Sequence, residues 1–520
     1  VYVVAVGLLA VGVWLRLHDL GLPFDRDGYD EGVYWQSLRA MSAGHTLYQQ
    51  IFYSQPPFFL LSTFPSYVLF GQTLWAARFG VVLLSLLGLL GAFLLGKALG
   101  GRISALAALL LLTIDPLYLT QSQRVQAEAP AAALSLLAVG LAYLWWEHPE
   151  GFAGLCYAVL GAITLSLSIL SKLWPAALVP VGLLMLAQIW RIWRQPEIYR
   201  SNTRSLLAGI AAFILTTAVV LLPFVGSSQQ MVQGVISFHL AAGAAFKSTQ
   251  ASNASIIRST LVSFTTVAAL IGTCAALLRR DWRVLPLIAW FFVTVYMLWQ
   301  QTPLFPHHLV MLIPPLAALS VIGIGPIGVG LMRGGQFLRG RSPGDDSSSE
   351  GDRKGRPYYT RVSGGRQPYI INFSNVATII TVAAILIAVL MDARGSLSYL
   401  RGQHALGLAD ATRQDLQVAK DLQAVTRPDQ LVITDAQFVA DLAERSTPAS
   451  LVDTSQVRIQ SGYVTTAQLI QEAGQPQVHA VLFYTGRLSM QNVGEFHTWV
   501  TQHFRLAHDY GGGRELWLKV

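Results

Sequence analysis

The sequence predicts an all-α polytopic membrane protein with a small α/β domain at its C-terminal end. Of its 520 residues, 53% are hydrophobic and only 12% are charged, whereas a soluble protein carries about 25% charged residues. Apolar segments recur from residue 1 to residue 391, many of them near the ~20 residues with which a helix crosses a bilayer. After residue 395 the composition becomes that of a soluble domain.

Eleven apolar segments are expected to be transmembrane helices. The first begins at residue 1. It is too long for a signal peptide and lacks the small-residue cleavage site of one, so we expect it to be a span. Two cysteines, Cys156 and Cys274, fall in such segments, which disfavours a structural disulfide. The expected spans are 1–19, 76–97, 102–120, 129–146, 153–171, 175–193, 206–225, 259–278, 284–300, 308–331 and 371–391.

The distribution of basic residues predicts which loops face the cytoplasm. The segment 57–71 is apolar but short and contains Pro65. If 57–71 does not cross the membrane, most Lys and Arg residues fall on one side, as the positive-inside rule requires. We therefore expect a juxtamembrane helix at 57–71 within an external loop 20–75. The polar segment 332–370 is then a disordered basic cytoplasmic loop. The net charge of +8 is explained by this topology, so we expect no nucleic-acid partner.

Residues 395–520 are expected to form an extracytoplasmic α/β domain after the last span, 371–391. Short β-rich runs at 431–434, 480–484 and 516–518 alternate with helical patterns, which is typical of a small α/β layer. The run Gly511-Gly512-Gly513 predicts a hairpin turn. We interpret this domain as a lid or an acceptor-binding module. Together with the spans, it divides the chain into a membrane module (1–331), the basic loop and a final span with its external domain.

An acidic cluster in the first external loop is the strongest functional signal. Asp25, Asp27, Asp30 and Glu31 fall within seven residues, between two apolar segments. Carboxylates at a membrane edge must face water or a polar cavity, because lipid cannot solvate them. A cluster at this place therefore predicts a functional site, although an acidic solvated loop is the simpler alternative.

Further polar residues converge on the same predicted face from loops far apart in sequence. Carboxylates can bind and deprotonate a hydroxyl, cations can neutralise a departing phosphate, and aromatic rings stack on sugars. This combination suits a sugar-like substrate joined to an anionic phosphate, bound by a protein that is surrounded by membrane lipid. Besides the acidic cluster, the residues on this face include Arg26, Tyr34, Tyr53, Gln55, Arg124, Lys172, His239, His307 and His308.

Several features also have simpler explanations. The acidic segment beginning at Asp25 could suggest a calcium-binding loop. Its glycine and one of its acids, however, stand at positions where such a loop needs other residues. Adjacent histidines on a helix, such as His307 and His308, are not expected to face one metal centre, so a substrate contact is favoured. Lys172 could simply extend its ammonium group to the membrane–water interface, without any functional role.

At these residues the chain resembles a known superfamily. Asp30-Glu31 with Tyr34, then Gln55-Pro56-Pro57, resembles the first half of membrane glycosyltransferases of the GT-C fold. The similar branch is the protein-mannosyltransferase and aminoarabinose-transferase-like group, glycosyltransferase family 39 or its relatives. Three later segments resemble further motifs of that group, namely 123–130, 171–172 and 305–315.

The resemblance implies an inverting transfer from a polyprenyl-phosphate sugar to a hydroxyl of a protein, glycolipid or polysaccharide, on the extracytoplasmic side. It implies that Asp30 is the general base and that Glu31 and Glu128 complete the catalytic group by orienting the acceptor or holding a metal. Two cations usual in the group are replaced here by Gln55 and Val33. The donor phosphate is then held by other cations, for which Lys172, Arg124 and Arg26 are candidates, or by a divalent metal such as Mg or Mn, with Asp30 and Glu128 as candidate ligands. The candidates for substrate binding are Tyr34, Tyr53, Gln55, His239, His307 and His308.

Two alternatives to this transferase remain at the level of sequence. A related ligase or oligosaccharyltransferase would use a lipid-linked oligosaccharide. A lipid or solute transporter would place charge near the membrane midplane and show repeat symmetry. The charges here lie at one interface and no repeat is visible, which favours the transferase.

Overall fold

The computed structural model describes residues 1–26, 28–199, 202–325 and 373–520. Asp27 and the predicted basic loop 332–370 therefore lie outside the described residues, as does the end of the span predicted at 308–331. The described part is mainly helical, which confirms the predicted fold class of an all-α membrane module with a small C-terminal α/β domain. The main helices of the membrane module are Tyr2–Leu17, Asp30–Ser42, Phe58–Leu69, Leu74–Ile114, Pro116–Ser122, Glu128–Glu147, Gly151–Ser171, Leu178–Arg194, Asn202–Leu221, Phe238–Ala245, Gln250–Leu261, Phe264–Leu278, Val284–Gln300, Ile313–Ile322 and Phe373–Gly407.

Fewer helices than the eleven predicted are individually long and apolar enough to cross a membrane. Among the described residues there are six, or seven if the bent pair Lys247–Leu261 and Phe264–Leu278 is one span. The 41-residue helix Leu74–Ile114 contains non-helical backbone at Gly100 and Gly101, so it covers two of the predicted spans. Four more apolar helices have 10–17 residues. Breaks and short helices, which hydropathy does not detect, account for the difference.

The helix Phe58–Leu69 lies where a juxtamembrane helix was predicted. Its 12 residues extend about 18 Å at 1.5 Å per residue, which is short of the ~30 Å hydrocarbon core. It packs on the following helix at Gly80, where an added Cβ would lie 2.5 Å from the Ser66 hydroxyl oxygen. Close packing of this kind holds the first loop against the membrane helices.

The C-terminal domain contains a four-stranded mixed sheet. Its strands are β1 Leu431–Thr434, β2 Val478–Phe483, β3 Phe504–Gly511 and β4 Arg514–Lys519, in the order β1-β2-β4-β3. Strands β1 and β2 are parallel, and the other pairs are antiparallel. The predicted turn at Gly511-Gly512-Gly513 joins β3 to β4, with positive φ at all three glycines. The helices of the domain are Asp410–Val425, Gln437–Leu442, Gln456–Gln460, Thr466–Gly474 and Glu495–His503.

The C-terminal domain packs directly on the first loop. The helix Asp30–Ser42 approaches the helix Gln437–Leu442 so closely that a Cβ on Gly32 would lie 2.4 Å from the Phe438 nitrogen. The Arg39 Nε donates to Asp441 Oδ1 at 2.8 Å, and Gln36 Nε2 donates to the Arg445 carbonyl at 2.8 Å. The domain is therefore fixed beside the acidic cluster of the first loop.

Candidate active site

A cavity of about 710 Å³ lies where the membrane helices meet the C-terminal domain. The first loop, the segment 301–308 and residues of the C-terminal domain contribute to its wall. Most of the predicted site residues line it, although they come from distant parts of the sequence. Those lining the cavity are Asp30, Tyr34, Tyr53, Gln55, Glu128, Lys172, His239, His307 and His308. The other three, Glu31, Arg26 and Arg124, are not among its lining residues.

Glu128 and Lys172 form a buried ion pair in the cavity wall. Glu128 begins the helix Glu128–Glu147, and Lys172 directly follows the helix Gly151–Ser171. The Lys172 Nζ donates to Glu128 Oε1 at 2.6 Å. Glu128 Oε2 has no hydrogen-bond partner among the described residues. A buried carboxylate oxygen without a partner is costly, so this oxygen is available to a ligand.

The two adjacent histidines face the same carboxylate, and their ligand atoms group with it, which corrects the expectation that neighbouring histidines could not face one metal centre. Nε2 of His307 and Nε2 of His308 each lie 3.7 Å from Glu128 Oε1. Their rings are nearly perpendicular, with centroids 4.5 Å apart. Both residues lie in the 3₁₀ turn Pro306–Leu312, and the local backbone brings both rings to one side of the cavity.

Asp30 is the most open carboxylate of this group. It is the first residue of the helix Asp30–Ser42, and its side chain is 39% exposed. Its Oδ2 lies 3.7 Å from His307 Nε2. The N-terminal end of a helix stabilises negative charge, so this position favours a carboxylate while leaving it open to the cavity.

Glu31, although adjacent to Asp30, is fully buried in an ion pair with Arg78. Arg78 donates from Nε to Oε1 at 2.8 Å and from its second guanidinium nitrogen to Oε2 at 2.7 Å. The backbone amides of Arg26 and Val125 also donate to this carboxylate, each at 3.1 Å. Burial acts to raise the pKa of Glu31, but the Arg78 charge outweighs it and lowers that pKa.

Arg78 also fixes the chain that leads into the acidic cluster. It donates to the carbonyls of Leu20 and Leu22 at 2.8 Å and of Phe24 at 2.7 Å. Neither Arg78 nor Glu31 has an exposed side chain. The pair therefore holds the first loop in place, and this arrangement separates Glu31 from the cavity that Asp30 faces.

Arg26 and Gln123 belong to a second buried network. Arg26 donates to Gln123 Oε1 at 2.8 Å, and Gln123 donates to the carbonyls of Leu15, Arg16 and His18 at 3.0 Å. Gln123 thus binds three carbonyls at the C-terminal end of the first helix, which have no helical partner. Arg26 is 7% exposed and is committed to this network, away from the cavity lining.

Several polar atoms at the cavity lack partners within the described residues. Besides Glu128 Oε2, these are the Tyr53 hydroxyl and His239 Nδ1. Buried polar groups in folded proteins are nearly always hydrogen-bonded. Their grouping around one cavity indicates a polar ligand with several hydroxyl or amine groups. Tyr34 and Tyr53 lie edge to face at 6.2 Å and supply aromatic surface.

Part of this group could hold a metal ion. Ligand atoms of Glu128, His307 and His308 all lie within 4.8 Å of one another. Imidazole and carboxylate together suit zinc or manganese better than magnesium, which prefers oxygen ligands. The Phe305 N–H donates to His308 Nδ1 at 3.3 Å, which places the proton of neutral His308 on Nε2. Asp30, the other predicted ligand, is not in this group of three, so Glu128 and His307 are the better-placed candidate ligands.

Residues of the C-terminal domain also line the cavity, and the motifs in the sequence did not indicate them. They are Asp453, Ser455, Gln456, Val457 and Arg487. These residues lie more than 400 positions from Asp30 in the chain. Apart from the predicted place of the domain on the same face of the membrane, the sequence contains no signal for their participation.

Comparisons with known proteins agree with this architecture. A sequence model of the dolichyl-phosphate-mannose-protein mannosyltransferase family matches residues 44–242. A search of curated protein sequences finds no match. Among solved structures, ArnT from Cupriavidus metallidurans bound to undecaprenyl phosphate aligns over 99% of this chain and 98% of its own, with 14% identity and a TM-score of 0.63.

A second similar structure is the oligosaccharyltransferase AglB from Archaeoglobus fulgidus, in complex with an inhibitory peptide and a dolichol-phosphate. It aligns over 100% of this chain and 74% of its own, with 13% identity and a TM-score of 0.52. At such low identity these structures establish the fold. Together with the family match they confirm the predicted relationship: the chain is a multi-pass membrane glycosyltransferase with the GT-C fold.

Proposed function

We propose that this protein transfers a sugar from a polyprenyl-phosphate donor to an acceptor hydroxyl, with inversion, on the extracytoplasmic face of the membrane. The observation that supports this most is the meeting of Asp30 with the Glu128–Lys172 pair in one cavity. An open carboxylate can take a proton from an acceptor, and a buried cation can receive a phosphate. Both are needed for transfer from a phosphate-linked sugar.

In the proposed reaction Asp30 removes the proton of the acceptor hydroxyl. The acceptor oxygen forms a bond to the anomeric carbon while the bond from that carbon to the phosphate oxygen breaks. The electron pair leaves with the phosphate, and the proton remains on Asp30. Lys172 stabilises the negative charge that develops on the leaving phosphate. A fixed cation stabilises such charge more strongly where water is excluded than in bulk water. Tyr34, Tyr53, Gln55 and His239 are proposed to hold the sugar and the acceptor.

The donor class is supported by the similar structures. ArnT from Cupriavidus metallidurans was solved with undecaprenyl phosphate, and AglB with a dolichol-phosphate. Both ligands are polyprenyl phosphates, so we infer the same carrier chemistry for this chain. AglB also suggests the alternative of an oligosaccharyltransferase, but no observation in this structure favours that alternative or a transporter over transfer of a single sugar.

A divalent metal remains compatible with the site. It would be held by Glu128 and His307, and it would supply positive charge for the leaving phosphate. The Lys172 ammonium already compensates Glu128 Oε1 at 2.6 Å. Transfer is therefore proposed to depend on Lys172 for this charge.

Mass spectrometry of envelope glycans in a deletion strain tests the function as a whole. We expect one glycan or glycoprotein to lose a sugar, and the wild-type gene to restore it. The Asp30→Asn gene, expressed at the same level, should not restore it. An unchanged glycan profile, combined with normal uptake of lipids or solutes only in the wild type, would favour a transporter instead.

We expect Lys172→Ala to weaken binding of undecaprenyl phosphate. Loss of a charge-assisted contact costs about 1.5–3 kcal/mol, or roughly 10- to 150-fold in Kd. The measurement is binding of undecaprenyl phosphate to the purified protein in detergent. Lys247→Ala is the matched control, because Lys247 is exposed and does not line the cavity. If Lys172→Ala binds the lipid as tightly as the control does, Lys172 serves only as a partner of Glu128.

Cysteine labelling tests the proposed orientation. Arg283 hydrogen-bonds the carbonyls of Ala98 and Leu99 and pairs with Glu147, so these residues share one end of the bundle, predicted to be cytoplasmic. With Cys156 and Cys274 replaced by serine, Gln502→Cys in the C-terminal domain should react with an impermeant maleimide added to intact cells. Arg280→Cys should react only after permeabilisation. The reverse pattern would place the cavity on the cytoplasmic face.

A further inference from the structure

Arg487 is a permanently charged residue that lines the cavity without a polar partner. Among the described residues that line the cavity, Lys172 and Arg487 are the only lysine and arginine. Lys172 is already bound to Glu128. The Arg487 guanidinium makes no hydrogen bond or ion pair with any residue in the described part of the chain. Its five N–H donors are therefore open to a ligand in the cavity.

The backbone turn that carries Arg487 is held in place by a buried carboxylate. The buried Asp435 carboxylate accepts hydrogen bonds from the backbone amides of Tyr484 at 2.8 Å, Thr485 at 3.0 Å and Leu488 at 3.1 Å. Gly486, directly before Arg487, has a φ of +82°, a conformation that glycine adopts without strain. The backbone at Arg487 is therefore fixed before any ligand binds, which lowers the entropic cost of binding.

The guanidinium itself is positioned by Tyr29, the residue before Asp30. The Arg487 Cζ lies 4.0 Å from the centroid of the Tyr29 ring, which is a cation–π contact. The Tyr29 hydroxyl accepts a hydrogen bond from the Thr454 amide at 2.9 Å, so the ring is tethered to the C-terminal domain. Stacking occupies one face of the guanidinium plane and leaves its in-plane N–H groups available. This geometry suits bidentate binding of an oxyanion.

We propose that Arg487 of the C-terminal domain binds an anionic oxygen group of a substrate, such as a phosphate, and so makes this domain part of the substrate-binding site. This inference rests on the proposed glycosyl transfer and specifies the chemistry that the cavity recognises. The anion belongs either to the polyprenyl-phosphate donor or to an acidic acceptor. Contact of Arg487 with Tyr29 places it near Asp30, where the acceptor would lose its proton, and this favours the acceptor.

Two binding measurements on the full-length protein test the proposal and separate the two sources. The first compares undecaprenyl phosphate with undecaprenol. The second compares glycerol 3-phosphate with glycerol, using protein already saturated with undecaprenyl phosphate. Each is made on the wild type, Arg487→Ala and Arg487→Lys. Arg505→Ala is the matched control, since Arg505 is an exposed arginine of the same domain that does not line the cavity.

We expect Arg487→Ala to lose about tenfold or more in affinity for one phosphate probe, with the neutral probes unaffected. Arg487→Lys should recover part of the loss, and Arg505→Ala should behave as the wild type. A loss limited to glycerol 3-phosphate assigns the anion to the acceptor, and a loss limited to undecaprenyl phosphate assigns it to the donor. If Arg487→Ala does not fold, Arg487→Gln serves in its place, with the melting temperature as the check.

Unchanged affinity for both phosphate probes in a folded Arg487→Ala or Arg487→Gln protein would overturn the proposal for Arg487 and leave the proposed transfer intact. A wild type that binds undecaprenyl phosphate no better than undecaprenol would instead contradict the proposed donor class. The two failures are therefore distinguishable in one set of measurements.

Discussion

Asp30→Asn should lower sugar transfer by roughly 10²–10⁴-fold, the usual contribution of a general base. An acceptor hydroxyl has too high a pKa to attack at neutral pH without losing its proton to a base. Asn keeps the shape of Asp but cannot accept that proton. The helix Asp30–Ser42 should still form, since its first residue tolerates either side chain. Transfer of a labelled sugar by the purified protein measures the rate, and binding of undecaprenyl phosphate is measured separately.

Asp25→Asn is the matched control for this experiment. Asp25 lies in the same loop, and its Oδ1 accepts a hydrogen bond from the Gly28 amide at 2.9 Å, which an Asn oxygen can also accept. It is not among the cavity-lining residues, so transfer should stay within about twofold of the wild type. If Asp30→Asn retained wild-type turnover while Glu128→Gln was inactive, the assignment of the base to Asp30 would be wrong.

Arg78→Met should destabilise the protein by about 3–5 kcal/mol, because it leaves the Glu31 charge buried without its partner. The carbonyls of Leu20, Leu22 and Phe24 lose their donors as well. We expect a lower melting temperature in detergent and faster proteolysis within residues 19–31. The double variant Arg78→Met/Glu31→Gln should recover part of the loss, since it removes the unpaired charge.

The exposed pair Arg427–Asp429 supplies the control for this result. Its side chains are 73% and 71% exposed, and ion pairs between exposed side chains contribute little to stability because water screens them. Arg427→Met should therefore leave the melting temperature nearly unchanged. An Arg78→Met protein as stable as Arg427→Met would show that Glu31 is solvated or protonated, and the structural role of this pair would have to be abandoned.

These two experiments also separate the adjacent acids of the first loop. Asp30→Asn is expected to change turnover with little change in stability. Glu31→Gln is expected to change stability first, because Glu31 bonds Arg78 and the amides of Arg26 and Val125. A loss of activity in Glu31→Gln that disappears at lower temperature would indicate partial unfolding of the loop, with no direct part in the proton transfer.

The sequence by itself predicted the class of the fold and the cluster of candidate residues. Hydropathy is a local property, so the apolar spans and the change at residue 395 were visible without any tertiary information. The order of Asp30, Glu128, Lys172 and His307 in motif-like segments was also sufficient to propose one shared site. The number of membrane-crossing helices was less predictable, because backbone breaks such as Gly100–Gly101 do not change hydropathy.

Only the tertiary structure decided which of these residues face the cavity. Asp30 and Glu31 are adjacent and chemically similar, yet a partner 47 residues away from Glu31 removes it from the site. Arg26 is withdrawn by Gln123, 97 residues away, and Arg487 is brought to Tyr29 by the packing of a separate domain. Ion pairs, hydrogen bonds and ring contacts form between side chains that meet in space. Their energies depend on distance and burial in the folded chain, which the order of residues does not specify.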